Sequence, residues 1–162
     1  SPLLNELSIL YKQGVDMVSP TDISGSFRSR DSTYNQIDAM ISGAENTITI
    51  MTTNNEVIRK LKVLRRSIAK AVKRGVTVRV AAPKGDSIKE AQKEFEDIEF
   101  RAVDKISARF VVVDGSEVCF MLMHDEDVHP SFDVGVWVNT PFFAAALEQL
   151  FELAWKEMKI VK

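Results

Sequence analysis

The sequence predicts a single α/β domain whose sheet contains parallel strands, and three observations carry that expectation. Residues 46–53 (NTITIMTT) alternate β-branched and apolar side chains, residues 55–74 form a long amphipathic run, and residues 76–82 return to strand-like composition. Strand, helix and strand in that order require a right-handed crossover between parallel strands. Short apolar segments at 98–103, 107–113 and 117–123 follow, the last two separated by Asp114-Gly115, a tight-hairpin signal. A length of 162 residues with 45% apolar and 27% charged side chains suits one packed core and is short for two.

Each element has a local reason. Leu3, Leu7, Leu10, Gly14 and Met17 recur at helical spacing across residues 3–18, and Pro20-Thr21-Asp22 ends that segment with turn chemistry. In residues 29–43, Tyr34, Ile37, Met40 and Ile41 share one helical stripe, with Ser29 as the cap and Gly43 as the stop. The longest helix, 55–74, turns Val57, Leu61, Leu64, Ile68 and Val72 inward and closes at Gly75. A shorter amphipathic helix spans 86–96, a further strand spans 134–139, and Pro141 opens a final helix that runs to about residue 159. The sequence has no internal repeat and no low-complexity segment.

Composition narrows the class of function. No apolar run reaches the length of a membrane span, and there is no secretory leader or lipidation signal, so a cytoplasmic protein is expected. Cys119, the single cysteine, sits in the apolar run 118–122, which favours a buried inert thiol over a nucleophile or metal ligand. The net charge of −2 conceals a polarised chain: residues 1–84 carry 13 basic and 7 acidic side chains, residues 85–162 carry 8 and 16. The long helix carries Arg59, Lys60, Lys62, Arg65, Arg66, Lys70, Lys73 and Arg74 against the single acid Glu56, so a strongly cationic outer face is expected. Arg59, Lys62, Arg65, Arg66, Lys70 and Lys73 form a candidate basic surface for DNA phosphates. The alternative, a solvated face or a contact with an acidic partner surface, is favoured because base-stacking aromatics are missing there.

The stretch Ser107-Ala108-Arg109-Phe110-Val111-Val112-Val113-Asp114-Gly115 resembles the H-x-K-x-x-x-x-D motif of the phospholipase D superfamily. Residues 37–82, including Arg74-Gly75-Val76-Thr77-Val78-Arg79-Val80, resemble that superfamily's helix, strand, long helix and strand. Residues 133–138 and Phe151-Glu152-Leu153-Ala154-Trp155 resemble its closing strand and helix. With the lead-in Gly25-Ser26-Phe27-Arg28-Ser29-Arg30-Asp31, the whole looks most like the effector domain of TrmB-type archaeal transcription regulators. The resemblance implies a phospholipase D-like mixed sheet flanked by helices over residues 23–162, after a connector or dimerisation helix at 1–22. It also implies a homodimer, a small anionic or sugar-like effector, no cofactor, and a winged-helix DNA-binding domain preceding this module. The chain opens on Ser1-Pro2 rather than methionine, so a further N-terminal portion is expected. The stripe Leu3, Leu7 and Leu10 is an expected part of the dimer contact.

Departures from the motif carry the functional expectation. Ser107 stands where the superfamily has its nucleophilic histidine and Arg109 where it has lysine, while Asp114 is kept. A lone serine needs an adjacent general base, so no catalysis is expected. Leu122-Met123-His124-Asp125 also replaces the superfamily's polar G-S-x-N-like run. An arginine fork can hold a phosphate or carboxylate without donating a proton. On an extended strand Ser107 and Arg109 would share a face, giving with Asp114 a candidate anion site; otherwise the pair is a polar strand start and Asp114 a turn residue. Thr52, Thr53 and Asn54, where the first strand of the crossover ends, form a second candidate site. His124, Asp125 and His129 could ligate a metal, although an acidic solvated loop is the ordinary reading of that segment. Two rival functions remain in view: an altered phosphodiesterase or nuclease, and a pure dimerisation module without ligand.

Overall fold

The structure, a computed structural model, describes residues 2–16, 23–53 and 56–162. In chain order the elements are α1 (Pro2–Asp16), β1 (Ser24–Arg28), α2 (Arg30–Ser42), β2 (Thr47–Met51) and α3 (Val57–Lys73). They continue with β3 (Thr77–Pro83), α4 (Asp86–Glu94), β4 (Glu99–Val103), β5 (Phe110–Val113), β6 (Glu117–Met121), β7 (Val134–Asn139), α5 (Pro141–Glu157) and β8 (Lys159–Ile160). Single 3-10 turns at Asp125–Asp127 and Pro130–Phe132 lie between β6 and β7.

The crossover read from the sequence is the centre of the sheet: β2 pairs in parallel with β3, and β3 with β4. All other pairings are antiparallel, and the eight strands run in the order β1-β7-β6-β5-β2-β3-β4-β8. Alternation of side chains along each strand produces two unlike faces. Ile48, Ile50, Val78, Val80, Val111 and Val113 meet Ile37, Ile41, Leu61, Leu64 and Ile68 of α2 and α3. On the other face Met51, Ala81, Val103, Phe110, Val112 and Val118 meet Ala144, Phe151 and Trp155 of α5. Central strands covered on both faces carry continuous apolar runs, which is why FVVV at β5 reads without alternation.

Ser29 caps α2 as expected, its hydroxyl accepting the Ser32 N–H at 3.2 Å, and Gly43 closes that helix. The hairpin between β5 and β6 turns through Asp114 (φ 55°) and Gly115 (φ 61°), with Ser116 N–H donating to the Val113 carbonyl at 3.0 Å. Two successive positive φ values are the mark of a type I′ turn and explain the Asp-Gly pair.

The sequence reading differs from the structure in four places. The lead-in at 24–28 is an edge strand, hidden because SGSFR lacks β-branched residues; its order comes from antiparallel pairing with β7. The two-residue β8 is too short to carry a periodicity. The strand expected at 107–113 begins only at Phe110, so Ser107 and Arg109 lie on irregular backbone ahead of β5. On α3, Lys60 faces inward with Leu61 and Leu64 instead of joining the cationic outer face. α1 exposes Leu3 and Leu7. Met17, the Pro20-Thr21-Asp22 turn and the Leu10 side chain lie outside the described residues.

Gly135 in β7 is required by close packing of α2 on the sheet. A Cβ there would run into Cγ2, Oγ1 and Cβ of Thr33, a fully buried side chain. Gly135→Ala is expected to destabilise the fold by about 1–3 kcal/mol through overpacking. Chemical denaturation checks this, and Thr33→Ala added to Gly135→Ala should recover part of the loss.

Candidate functional site

Four segments distant in sequence converge on one end of the sheet. Arg109 comes from the lead-in to β5, Glu56 from the residue before α3, Asp133 from the residue before β7, and Arg30 from the first turn of α2. All four are buried. The Arg109 guanidinium donates Nε–H to Glu56 Oε2 at 2.9 Å and Nη2–H to Glu56 Oε1 at 3.0 Å. It also donates Nη2–H to Asp133 Oδ2 at 2.7 Å, and Nη1–H to Asp133 Oδ1 at 3.1 Å and to the Met123 carbonyl at 2.8 Å. A guanidinium has five N–H donors, and all five are engaged by the protein. Arg30 Nε donates to Asp133 Oδ2 at 2.9 Å and lies 3.3 Å from Glu56 Oε1. The Tyr34 hydroxyl donates to Glu56 Oε1 at 3.2 Å, and Arg59 pairs with the same oxygen.

The pairing governs the ionisation of its members. Burial by itself would raise the Glu56 carboxyl, but the charges of Lys60 and Arg109 and hydrogen bonds from Arg109 and Arg59 hold it below the usual carboxylate range. Asp133 is likewise depressed, burial being outweighed by hydrogen bonds from Arg109 and Arg30 and by their charges. Both carboxylates are therefore ionised acceptors. Beside them Lys60 is fully buried, its ammonium makes no hydrogen bond among the described residues, and it lies 5.9 Å from the centre of the Tyr34 ring. Desolvation pulls its pKa down to about 8. Burial pushes the Cys119 thiol up to about 12, in keeping with an inert core cysteine.

The structure brings some of the sequence-derived candidates together and sets others apart. Ser107 is exposed at the rim of a cavity of 110 Å³ that Thr53, Arg109, Met123 and His124 also line. Thr53 donates to Asp125 Oδ1 at 2.8 Å, while Thr52 is buried and its backbone N–H bonds the Ala81 carbonyl at 3.0 Å. Asn54 lies outside the described residues. Asp114 does not join Arg109: the strand between them puts the two about 16 Å apart. Its carboxylate instead accepts backbone N–H bonds from Glu45 (2.9 Å), Asn46 (2.7 Å) and Thr47 (2.9 Å), tying the turn to the start of β2.

His124, Asp125 and His129, the metal candidates, lie on the segment between β6 and β7. Each imidazole caps its own 3-10 turn, Nδ1 of His124 accepting from Glu126 N–H at 3.2 Å and Nδ1 of His129 from Ser131 N–H at 3.1 Å. Among the described residues no three His, Cys, Asp or Glu side chains gather as a metal site. Arg59, Lys62, Arg65, Arg66, Lys70 and Lys73 are all exposed on α3, and Arg65 bridges to Glu94 of α4 at 3.0 Å.

Sequence reasoning missed Arg30 and Asp133 as partners of Arg109 and noted Glu56 only as the lone acid of a cationic helix. Two signals were available: a single carboxylate at the start of that helix, and an aspartate directly before the apolar strand VGVWVN. What joins them is visible only in three dimensions. The resulting cluster holds charge in place; among the described residues it contains no nucleophile with a base poised against it.

A family model described as the Transcriptional regulator TrmB, EBD N-terminal subdomain, matches residues 26–162. The fold is similar to that of TrmBL2, an archaeal chromatin protein described as showing a novel mode of DNA binding. The two share 20% identity at a TM-score of 0.67, over 99% of this chain and 62% of that one. This chain therefore spans less than two thirds of that relative. It is also similar to Nuc from Salmonella typhimurium, a phospholipase D family member, with 16% identity and a TM-score of 0.70 over 86% of this chain and 97% of that one. NucT from Helicobacter pylori matches at 10% identity and a TM-score of 0.66, over 85% and 98% of the two chains. No curated protein sequence matches the chain.

The buried Lys60 ammonium generates a prediction with a definite sign. The folded lysine loses its proton near pH 8, below the unfolded value of about 10.4, so the wild-type fold gains stability as pH rises between the two. Lys60→Met should stabilise the protein by about 1–3 kcal/mol at neutral pH. That advantage should shrink between about pH 8 and 10. Urea denaturation of both proteins across this range checks it.

Proposed function

Since the chain belongs to the TrmB transcription-regulator family, whose effector-binding domain it represents through the N-terminal subdomain, we propose that it is a non-catalytic, effector-sensing and dimer-forming module of a cytoplasmic transcription regulator. The observation that carries this reading is the saturation of Arg109 by Glu56, Asp133 and the Met123 carbonyl. The residue at the lysine position of the phospholipase D-like motif has no donor left for a phosphodiester, and among the described residues no hydrogen bond joins the exposed Ser107 to a base, His124 included. No helix among the described residues is long and apolar enough to cross a membrane.

In this reading the DNA-reading domain lies elsewhere in the protein, and effector binding biases the arrangement of two subunits. The effector-facing groups are Ser107, Thr53 and His124 around the small cavity beside Arg109, whose 110 Å³ suits a small anion better than a sugar ring. Support for a dimer comes from α5. Its inner face buries Ala144, Phe151 and Trp155, while Phe142, Ala146, Leu150 and Leu153 recur along its outer side and are exposed. A helix apolar on both sides calls for cover on both. A second copy of the chain meets that need with the same patch, as a two-fold interface requires.

Two measurements test the proposal. The chain should not accelerate hydrolysis of bis(p-nitrophenyl) phosphate, with or without divalent metal; turnover abolished by Ser107→Ala would instead establish the enzyme reading. In light scattering the chain should run as a dimer, and Leu150→Glu with Leu153→Glu should convert it to a folded monomer. A parent chain that is monomeric at all concentrations removes the dimer from the proposal.

A further inference from the structure

The cations of α3 divide into two groups by what they touch. With Val57, Lys60, Leu61, Leu64, Ile68 and Ala71 buried, the inward direction of the helix is defined. At about 100° per residue, Arg59, Lys62, Arg66, Lys70 and Lys73 all fall within about 50° of the opposite, outward direction. Cations on the flanks serve the fold: Arg65 pairs with Glu94 on α4, and Arg74 donates to the Ala44 and Ile41 carbonyls at 2.9 and 3.1 Å. On the ridge, Arg59 leans back on Glu56, but Lys62, Arg66, Lys70 and Lys73 make no ion pair or hydrogen bond among the described residues.

Such a ridge is unfavourable for an isolated domain. Like charges three and four residues apart destabilise a helix, and a face selected for solubility would intersperse both signs. The negative end of the helix dipole accounts for Lys70 and Lys73 in the last turn, but not for Lys62 and Arg66 in the middle. The five positions span about 21 Å of helix axis. Over that length a DNA duplex presents about a dozen phosphates. Nothing aromatic interrupts the ridge to stack on unpaired bases, and Val63, the apolar side chain exposed beside Arg59 and Arg66, is of a residue type under-represented among the anchors of protein interfaces.

We infer that the outer ridge of α3 contacts the phosphate backbone of double-stranded DNA, so that this domain itself adds sequence-independent affinity to the regulator. The inference rests on the regulator reading only for the presence of DNA. It gives the effector module a direct grip on the duplex, in addition to any domain that reads bases, and makes that grip dependent on salt.

The test is fluorescence anisotropy of the chain with a labelled duplex of about 20 base pairs, across a salt series and with two unrelated sequences. Four to five phosphate contacts should give a slope of log affinity against log salt near −4, the same for both sequences. Lys62→Gln with Arg66→Gln should make the slope shallower by about 2, whereas Lys156→Gln on α5, beyond the opposite face of the sheet, should leave it unchanged. Thermal melting of the double variant should be equal to or above that of the parent, since only repulsion is removed. Absence of salt-dependent binding, a slope unmoved by the double variant, or tighter binding to single-stranded DNA or poly-glutamate would overturn the inference. Phosphodiester hydrolysis by the parent chain would strike the non-catalytic reading and leave this test standing.

Discussion

The guanidinium of Arg109 binds together parts of the chain that share no local reason to meet. Through Glu56 it holds the start of α3, through Asp133 the start of β7, and through the Met123 carbonyl the segment beyond β6; Arg30 extends the same cluster to α2. A buried charge is tolerated only when its partners are complete, because removing it from water costs several kcal/mol that geometry must return. Here the planar fork meets two carboxylates and a carbonyl with no donor left over, an arrangement that lysine, with three donors on one nitrogen, cannot reproduce. The register of the helices against one end of the sheet depends on that completeness.

The same cluster sits in a fold similar to that of a phospholipase D family member. The likeness is one of fold alone, and the chemistry is decided by a few side chains at the sheet end. Here the guanidinium donors of Arg109 are turned toward the protein, while Ser107 stays exposed at the rim of the small cavity. Asp114 works at the far end of β5 as the acceptor for three backbone N–H groups, a role in the folding of the turn. The apolar outer side of α5 and the cationic ridge of α3 lie on opposite sides of the sheet.

Much of the architecture was legible because it depends on short-range periodicity. The crossover β2-α3-β3, the Ser29 cap, the Asp114-Gly115 turn and the inner stripe of α3 each follow from residues within one element or its immediate neighbours. Strand β1 was not legible, since SGSFR has no strand preference of its own and is ordered by β7, more than a hundred residues away. Lys60 was misassigned to the outer face because its residue type argues for solvent, while helical phase, one position before Leu61, places it inside. Phase prevails when a helix is clamped by five buried apolar side chains.

The sequence by itself determined the α/β class and the helical and strand segments of the central sheet. These follow from residue type and spacing, which act over a few positions. Only the tertiary structure decided what Arg109 does. Whether a guanidinium is open to a ligand or closed by carboxylates depends on side chains 53 and 24 residues distant in the chain, and hydrogen-bond geometry between them exists only once the sheet has formed.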